Sequence, residues 1–302
     1  SAGQAAVGRA IDASRPAAGV ALTTTQSALY GPLYMLPGSA IPATLDQLGP
    51  SVYGSALMTA RDGWYTVTDA IGQHLAATRT TLPVGSHSVW VTSLADFGNT
   101  GSNGAVGYSA TTAGVLAGVD MRLHENWSAG VAIGYLNLQT SNDVGAQASG
   151  DALHVRVYGA WQQDRMFAEA EAGGFAMEGD GTRTLGAWGV QARGDTGGGG
   201  GGGSVRVGLR LPALGWQIEP SVRLAGVGLT QGGFTETQAG PLALSVGQAS
   251  LASVQTQVGI GASRTYALSN GARLVPTARV GWAHEYADQN ATMTAAFVSA
   301  PG

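Results

Sequence analysis

Between Thr111 and Tyr135 apolar positions alternate with small or polar ones, TTAGVLAGVDMRLHENWSAGVAIGY. Ala113, Val115, Ala117, Val119 and Met121 fall on one face of an extended chain, and Leu116, Gly118, Asp120 and Arg122 on the other. After a polar turn, Trp127, Ala129, Val131 and Ile133 oppose Ser128, Gly130, Ala132 and Gly134. A period of two with one uniformly apolar face predicts strands that are dry on one side and wet on the other. Two settings accept such a hairpin: a soluble sandwich, and a barrel with lipid outside and a polar lumen.

The same alternation continues from Ser88 onward and predicts nine strands, at 88–97, 108–123, 126–140, 151–162, 165–177, 203–211, 215–230, 250–266 and 271–286. Leu153, Val155, Val157 and Trp161 alternate with His154, Arg156 and Tyr158, and Val205, Val207, Leu209 and Leu211 with Ser204, Arg206 and Arg210. Trp216, Ile218, Val222 and Leu224 alternate with Gln217, Glu219 and Arg223, while Glu169 and Glu171 share one face of their strand. Charge on the wet face changes sign from Arg156 to Glu169 and Glu171 and back to Arg206 and Arg210, which favours pairing across neighbouring strands. Short turns are expected at 124–126, 162–165, 212–215 and 268–271, and long loops at 98–107, 141–150, 178–202 and 231–249, the third holding the seven-glycine run Gly197–Gly203. Short turns at one end and long loops at the other favour an outer-membrane barrel, whereas a Greek-key sandwich mixes its connections. Trp90, Trp127, Trp161, Trp216 and Trp282 sit near strand ends, where an aromatic girdle is expected.

Ahead of the strands the period is helical. Ser1–Ala13, Thr24–Leu36 and Ile41–Leu48 read as short helices broken by Arg15-Pro16 and Pro37-Gly38. From Ser51 to Arg79, apolar residues at Tyr53, Leu57, Ala60, Trp64, Val67, Ile71 and Leu75 recur in steps of three and four. This helix carries Arg61, Asp62, Asp69 and His74, so it cannot face lipid without a large desolvation penalty. It is expected to lie in water or inside something polar, with 62–79 plugging a pore. Domains are expected at 1–50 (helical linker next to a passenger), 51–82 (pore helix) and 83–302 (barrel).

Composition narrows the setting. Charged residues make up 11% of the 302, Gly accounts for 48, and all 15 basic residues are Arg. A net charge of -4 gives no basic stripe, so no nucleic-acid partner is expected. Absence of cysteine removes disulfides and thiolate metal sites. No apolar run reaches about 18 residues, so no transmembrane helix is predicted. No basic region leads into an apolar core at the N-terminus, and an export signal is expected outside this chain.

Several stretches, in order, carry a resemblance: Leu45-Asp46-Gln47-Leu48 and Val52-Tyr53 before the long helix, then Gly114, Gly118-Val119-Asp120, Gly130 and Gly134-Tyr135 in the first full hairpin. Glu219-Pro220, Leu274-Val275-Pro276, Trp282-Ala283-His284-Glu285-Tyr286, Ala296-Phe297 and Ala300-Pro301-Gly302 follow. Together they make residues 41–302 resemble the translocator domain of autotransporters, the type V secretion proteins. The resemblance implies an all-β, antiparallel transmembrane β-barrel of twelve strands, preceded by an α-helical segment that threads the pore. About nine of those strands are read here, and the remainder are expected outside the chain. It further implies the bacterial outer membrane, with its lipid and lipopolysaccharide, as the location. The barrel assembly machinery, periplasmic chaperones and a covalently linked passenger are the implied partners.

Asp120, Arg122, Arg156, Glu169, Glu171, Arg206, Arg210, Glu219 and Arg223 are the expected lumen lining, facing Arg61, Asp62, Asp69 and His74 of the helix. Glu169 and Glu171 form a candidate carboxylate pair, but lumen lining paired with Arg156 and Arg206 explains them better. The five histidines show no metal-ligand spacing, and Gly-x-Ser-x-Gly is absent. A phosphate cradle at the glycine run would need a following helix and a Lys. No catalytic residue, cofactor or metal is expected. The function read from this is an outer-membrane translocator that exports or anchors an upstream passenger; the alternatives are lumenal autoproteolysis of the passenger linker and a plain diffusion pore.

Overall fold

The computed structural model describes residues 1–78, 83–269, 273–287 and 291–299. Four helices come first: α1 (Ala2–Ala13), α2 (Thr24–Tyr34), α3 (Ile41–Leu48) and α4 (Ser51–Thr78). Ser1 and Thr23 cap α1 and α2 in reciprocal boxes with Gln4 and Gln26, which satisfy backbone N–H groups that have no partner within the helix. Arg79, the expected last residue of the long helix, lies outside the described residues.

Nine strands then pair in chain order into one antiparallel sheet: β1 (His87–Thr100), β2 (Tyr108–His124), β3 (Trp127–Asn142), β4 (Gln147–Gln163), β5 (Met166–Leu185), β6 (Val190–Leu209), β7 (Trp216–Gln231), β8 (Ala249–Ser263) and β9 (Thr277–Glu285). The short segment Leu211–Ala213 continues the line of β6 against β7. The sheet curls into part of a barrel around α4, which touches β1 to β5 and β7 from inside. Among the described residues β1 and β9 do not pair with each other, so the curl is open.

Alternation of side chains decides which way the sheet faces. Val155 and Val157 are each 55% exposed on the convex side, while Arg156 between them is 0% exposed on the concave side. Val205, Val207, Leu209, Val222 and Leu224 repeat the pattern around buried Arg206 and Arg223. The outside is apolar and bare; the inside is charged and covered. This inverts the usual globular arrangement.

Three expectations need correction. First, 178–202 is not a loop: β5 and β6 run on to Leu185 and from Val190, joined by a tight turn at 186–189. The expected loop at 141–150 shrinks in the same way to 143–146, because β3 and β4 stay paired from Ser141↔Gln147 onward. Second, the seven glycines are a strand, held between Gly173, Gly174 and Phe175 of β5 and Gly226 and Gly228 of β7. Polar and glycine-rich composition reads as loop, but ladder hydrogen bonds from both neighbours supply what side chains do not. Third, Trp90 faces the concave side and stacks on His74 at 4.1 Å, so it belongs to no lipid girdle. The expected start of the last strand at 271 and the expected 268–271 turn lie partly outside the described residues. Within them, Tyr266–Ala267 pairs with Arg273–Leu274 before β9 begins at Thr277.

Close approach explains why the run is glycine. Cβ atoms on Gly199, Gly201 and Gly203 would lie 2.5, 2.9 and 2.6 Å from carbonyl oxygens of β5, and those on Gly198, Gly200 and Gly202 would collide with carbonyls of β7. Glycine costs about 0.5–1 kcal/mol per residue in strand entropy relative to alanine, and here alanine has no room. A Gly202→Ala variant, whose Cβ would run into the Gly226 carbonyl, is expected to lower stability by about 1–3 kcal/mol through overpacking. Gly197→Ala, with its nearest neighbour at 3.9 Å, is expected to unfold with the parent. Heat-dependent mobility on a denaturing gel compares the two; equal midpoints would contradict the close-approach account.

Candidate functional site: the interface between α4 and the wall

The interface between α4 and the concave wall gathers most of the buried charge. α4 spans 28 residues, about 42 Å at 1.5 Å per residue. Its start lies with the turns at 143–146 and 186–189, where Asn142 donates to Ser51 Oγ at 3.2 Å. Its end lies at the β2–β3 turn end of the wall, where His74 Nε2 meets Asp120 at 2.5 Å. Leu57, Trp64, Val67, Ile71 and Leu75 are almost fully buried against Leu116, Leu136, Ala132 and Phe175 of the wall. At Gly63 the helix packs tightly on β3, and a Cβ there would sit 3.1 Å from Leu136.

Between these apolar contacts a series of polar groups of α4 has partners on the wall. Thr59 Oγ1 lies 2.8 Å from Thr140 Oγ1. The Tyr65 hydroxyl lies 2.7 Å from Ser253 Oγ, which itself donates to Glu285 at 2.5 Å. Thr68 donates to Glu171 at 2.7 Å, and Glu171 also holds Arg156 at 3.1 Å. Arg156 donates to the Trp64 carbonyl at 3.2 Å, with its guanidinium carbon 3.1 Å from the indole centroid. A guanidinium over an indole in a desolvated site is among the stronger cation–π contacts. Asp69 meets Arg223 at 2.5 Å, and Arg206 donates to the Gly72 carbonyl at 3.2 Å. Asp120 completes the series, taking Tyr158 at 2.5 Å in addition to His74, while Trp90 donates to the Tyr158 hydroxyl at 2.8 Å.

The structure pairs Glu169 and Glu171 with the two expected arginines, and it places other expected residues differently. Glu169 pairs with Arg206 at 2.5 Å and Glu171 with Arg156, while Arg210 pairs with Glu219 at 3.2 Å. Arg206 and Arg223 stand directly opposite each other across β6 and β7, which would repel, but each is turned to a different acid. Arg122 donates to the His124 carbonyl at 2.9 Å and to that of Glu125. Arg61 and Asp62 were expected to find partners on the wall; they pair with each other at 2.7 Å instead. Adjacent side chains on a helix meet at no loss of wall geometry, which makes that pair the local solution. Sequence reading missed Thr59, Thr68 and Ser253, and placed Tyr158 on the wet face without a partner, because uncharged hydroxyls carry no signal until a partner is in place. It also missed Arg183 and Glu236, which lie in stretches read as loops. Among the described residues no cluster of His, Cys, Asp and Glu could hold a metal ion.

An apolar convex face, a charged concave face and a helix matched to that inner face define a membrane β-barrel wall with a filled interior. No helix among the described residues is long and apolar enough to cross a membrane. Residues 89–302 match the family described as the autotransporter beta-domain, and the chain belongs to that family. Comparison with curated proteins returned no match. Two solved structures share the fold. One is the translocator domain of the autotransporter NalP from Neisseria meningitidis, at 20% identity and a TM-score of 0.63, covering 82% of this chain and 83% of that one. The other is the beta domain of the Bordetella autotransporter BrkA, at 21% identity and a TM-score of 0.54, covering 70% of this chain and 86% of that one. The protein is accordingly an outer-membrane translocator domain for a passenger.

Arg156 is 0% exposed, so its countercharge carries a large share of the local energy. Glu171→Gln is expected to destabilise the protein by about 3–5 kcal/mol, since it strands a buried guanidinium. Arg156→Met combined with Glu171→Leu is expected to regain most of that loss. Urea unfolding in detergent measures both; a Glu171→Gln variant as stable as the parent would show that the pair carries no such weight.

Proposed function

We propose that α4 is the pore plug of this translocator, filling the lumen once the passenger has left through it. Residues 51–82 then act as the pore helix, 83–302 as the barrel, and 1–50 as the segment next to the passenger. The observation that carries this is the matching of α4 to the wall. Asp69 meets Arg223, His74 meets Asp120, Thr68 meets Glu171, and two wall arginines hold backbone carbonyls of the helix. A helix merely passing beside a barrel would need none of these.

The concave set Asp120, Arg122, Arg156, Glu169, Glu171, Arg206, Arg210, Glu219 and Arg223 serves as lumen lining in this reading. The end with the 101–107 and 232–248 connections lies at the cell surface, and the turns at 125–126, 164–165 and 214–215 lie in the periplasm. The convex valines and leucines meet lipid, including lipopolysaccharide in the outer leaflet. Insertion is by the barrel assembly machinery, with periplasmic chaperones delivering a chain whose passenger is covalently attached upstream. In this reading Glu169 and Glu171 are lining and not catalytic groups, each paired with an arginine of the wall.

Removing residues 51–78 is expected to raise single-channel conductance and lower the unfolding temperature; conductance equal to the parent's would count decisively against a plug. The wall register is tested separately. Spin labels at Val207 are expected to be lipid-accessible and those at Arg206 shielded from lipid, and Val207→Arg is expected to cost about 2–4 kcal/mol near the bilayer midplane. Reversed accessibility would mean that the convex side is not the lipid side.

A further inference from the structure

A second buried cluster, apart from the helix–wall interface, caps the end of the sheet where α4 begins. Ile11, Leu29, Tyr30 and Leu48 from the first three helices pack there with Leu242 and Phe297. α2 and α3 rest on the strand turns at this end, and α1 packs on α3. Trp188 Nε1 donates to the Ala28 carbonyl at 3.0 Å, and the Gln47 side chain bridges the Val144 carbonyl and the Gly186 amide.

At the centre lies one ion pair. Arg183, near the end of β5, forks onto Glu236 of the 232–248 connection, with Nε to Oε1 at 2.7 Å and Nη2 to Oε2 at 2.6 Å. The two side chains are 1% and 0% exposed. Arg183 also donates to the Gln47 carbonyl at 2.8 Å and the Leu242 carbonyl at 3.2 Å. Glu236 also accepts the Tyr53 hydroxyl at 2.8 Å and the Leu244 amide at 2.8 Å. Gln47 and Tyr53 flank the Gly49-Pro50 joint between α3 and α4, and Leu48 and Val52, both 0% exposed, bury that joint in the same cluster.

We propose that α1 to α3 and the 232–248 connection form a lid over this mouth of the barrel, and that Arg183–Glu236 is the latch that closes it only after α4 is seated. The inference rests on α4 as plug and adds a second closure to it. Without the α3–α4 joint the guanidinium loses the Gln47 carbonyl and the carboxylate the Tyr53 hydroxyl, and nothing covers the pair from that side. Both groups then remain hydrated, and a hydrated ion pair is weak. Arrival of the joint supplies Gln47 and Tyr53 and excludes water in one step, so that pairing and burial become coupled. A charged pair so enclosed is costly to break from one side. The lid therefore reports completed passage, and it does so through residues that lie away from the helix–wall ladder.

Hydrogen exchange on the full-length chain in detergent tests this, comparing the parent with Glu236→Gln. Exchange over residues 2–48 is expected to rise about tenfold or more as the lid opens locally, while 62–78 exchanges as in the parent. Tyr53→Phe, which removes one hydrogen bond and no charge, is expected to give a smaller rise over the same residues and serves if Glu236→Gln does not fold. The chain contains no cysteine, so a pair placed at Ala28 and Ala187 can be joined by a bifunctional maleimide. That cross-link is expected to restore slow exchange in the Glu236→Gln background. Unchanged exchange over 2–48 in both variants would overturn the latch, as would failure of the cross-link to restore protection. Fast exchange over 62–78 in the parent itself would overturn the plug, and with it the order of seating.

Discussion

A wall that meets lipid on its outside must satisfy every polar group from within. Hydrocarbon offers no hydrogen-bond partner, so strand backbones pair with one another and charged side chains turn inward. In this protein the inward charges then face a cavity that water alone could fill, or a polar helix. The chain supplies the helix. Its hydroxyls, carboxylate, imidazole and carbonyls take up donors and acceptors offered by β2 to β8, and its leucines and tryptophan fill the space between. Each partner replaces the water that would otherwise solvate the other's ionic groups, with Asp69 meeting Arg223 and His74 meeting Asp120.

The same constraint explains the arginines. Each paired concave arginine serves more than one acceptor where it is most buried: Arg156 holds a carboxylate, a carbonyl and an indole face, and Arg206 a carboxylate and a carbonyl. A planar fork with five donors does this; a lysine ammonium would not match the geometry. That the chain uses arginine for all 15 of its basic residues agrees with a wall whose charges are mostly buried and shared. The glycine strand is the complementary device. Where β5, β6 and β7 approach too closely for any Cβ, the volume on the concave side passes to Phe175, Val227 and Leu229.

The antiparallel strands and their outward and inward faces were legible because they follow from period alone, while the translocator family was legible in short stretches such as Gly118-Val119-Asp120 and Trp282-Ala283-His284-Glu285-Tyr286 taken in order. A strand has one choice of face at each residue, and a single charge such as Arg156 among valines decides it. Helix α4 was legible for a similar reason, its apolar steps running from Tyr53 to Leu75. The N-terminal helices were readable too, broken at Arg15-Pro16 and Pro37-Gly38, although nothing in their order showed that they fold onto the barrel's end.

What one-dimensional pattern could not supply was partnership. Whether Asp69 meets an arginine of the wall, or Arg61 turns to its own neighbour Asp62, depends on rotation of the helix about its axis by a fraction of a turn. That rotation is set by Trp64, Gly63 and Leu136 packing together, which are 72 residues or more apart in chain order across the helix–wall contact. Glycine content reads as disorder until two neighbouring strands are present to bond it, so the first part of β6, residues 190–202, was taken for a loop, and Arg183 and Glu236 were hidden in stretches read as loops. Alternation of residue type determined which side of the wall each side chain occupies. Only the curled sheet, by bringing distant strands around one helix and excluding water between them, decided which charges meet.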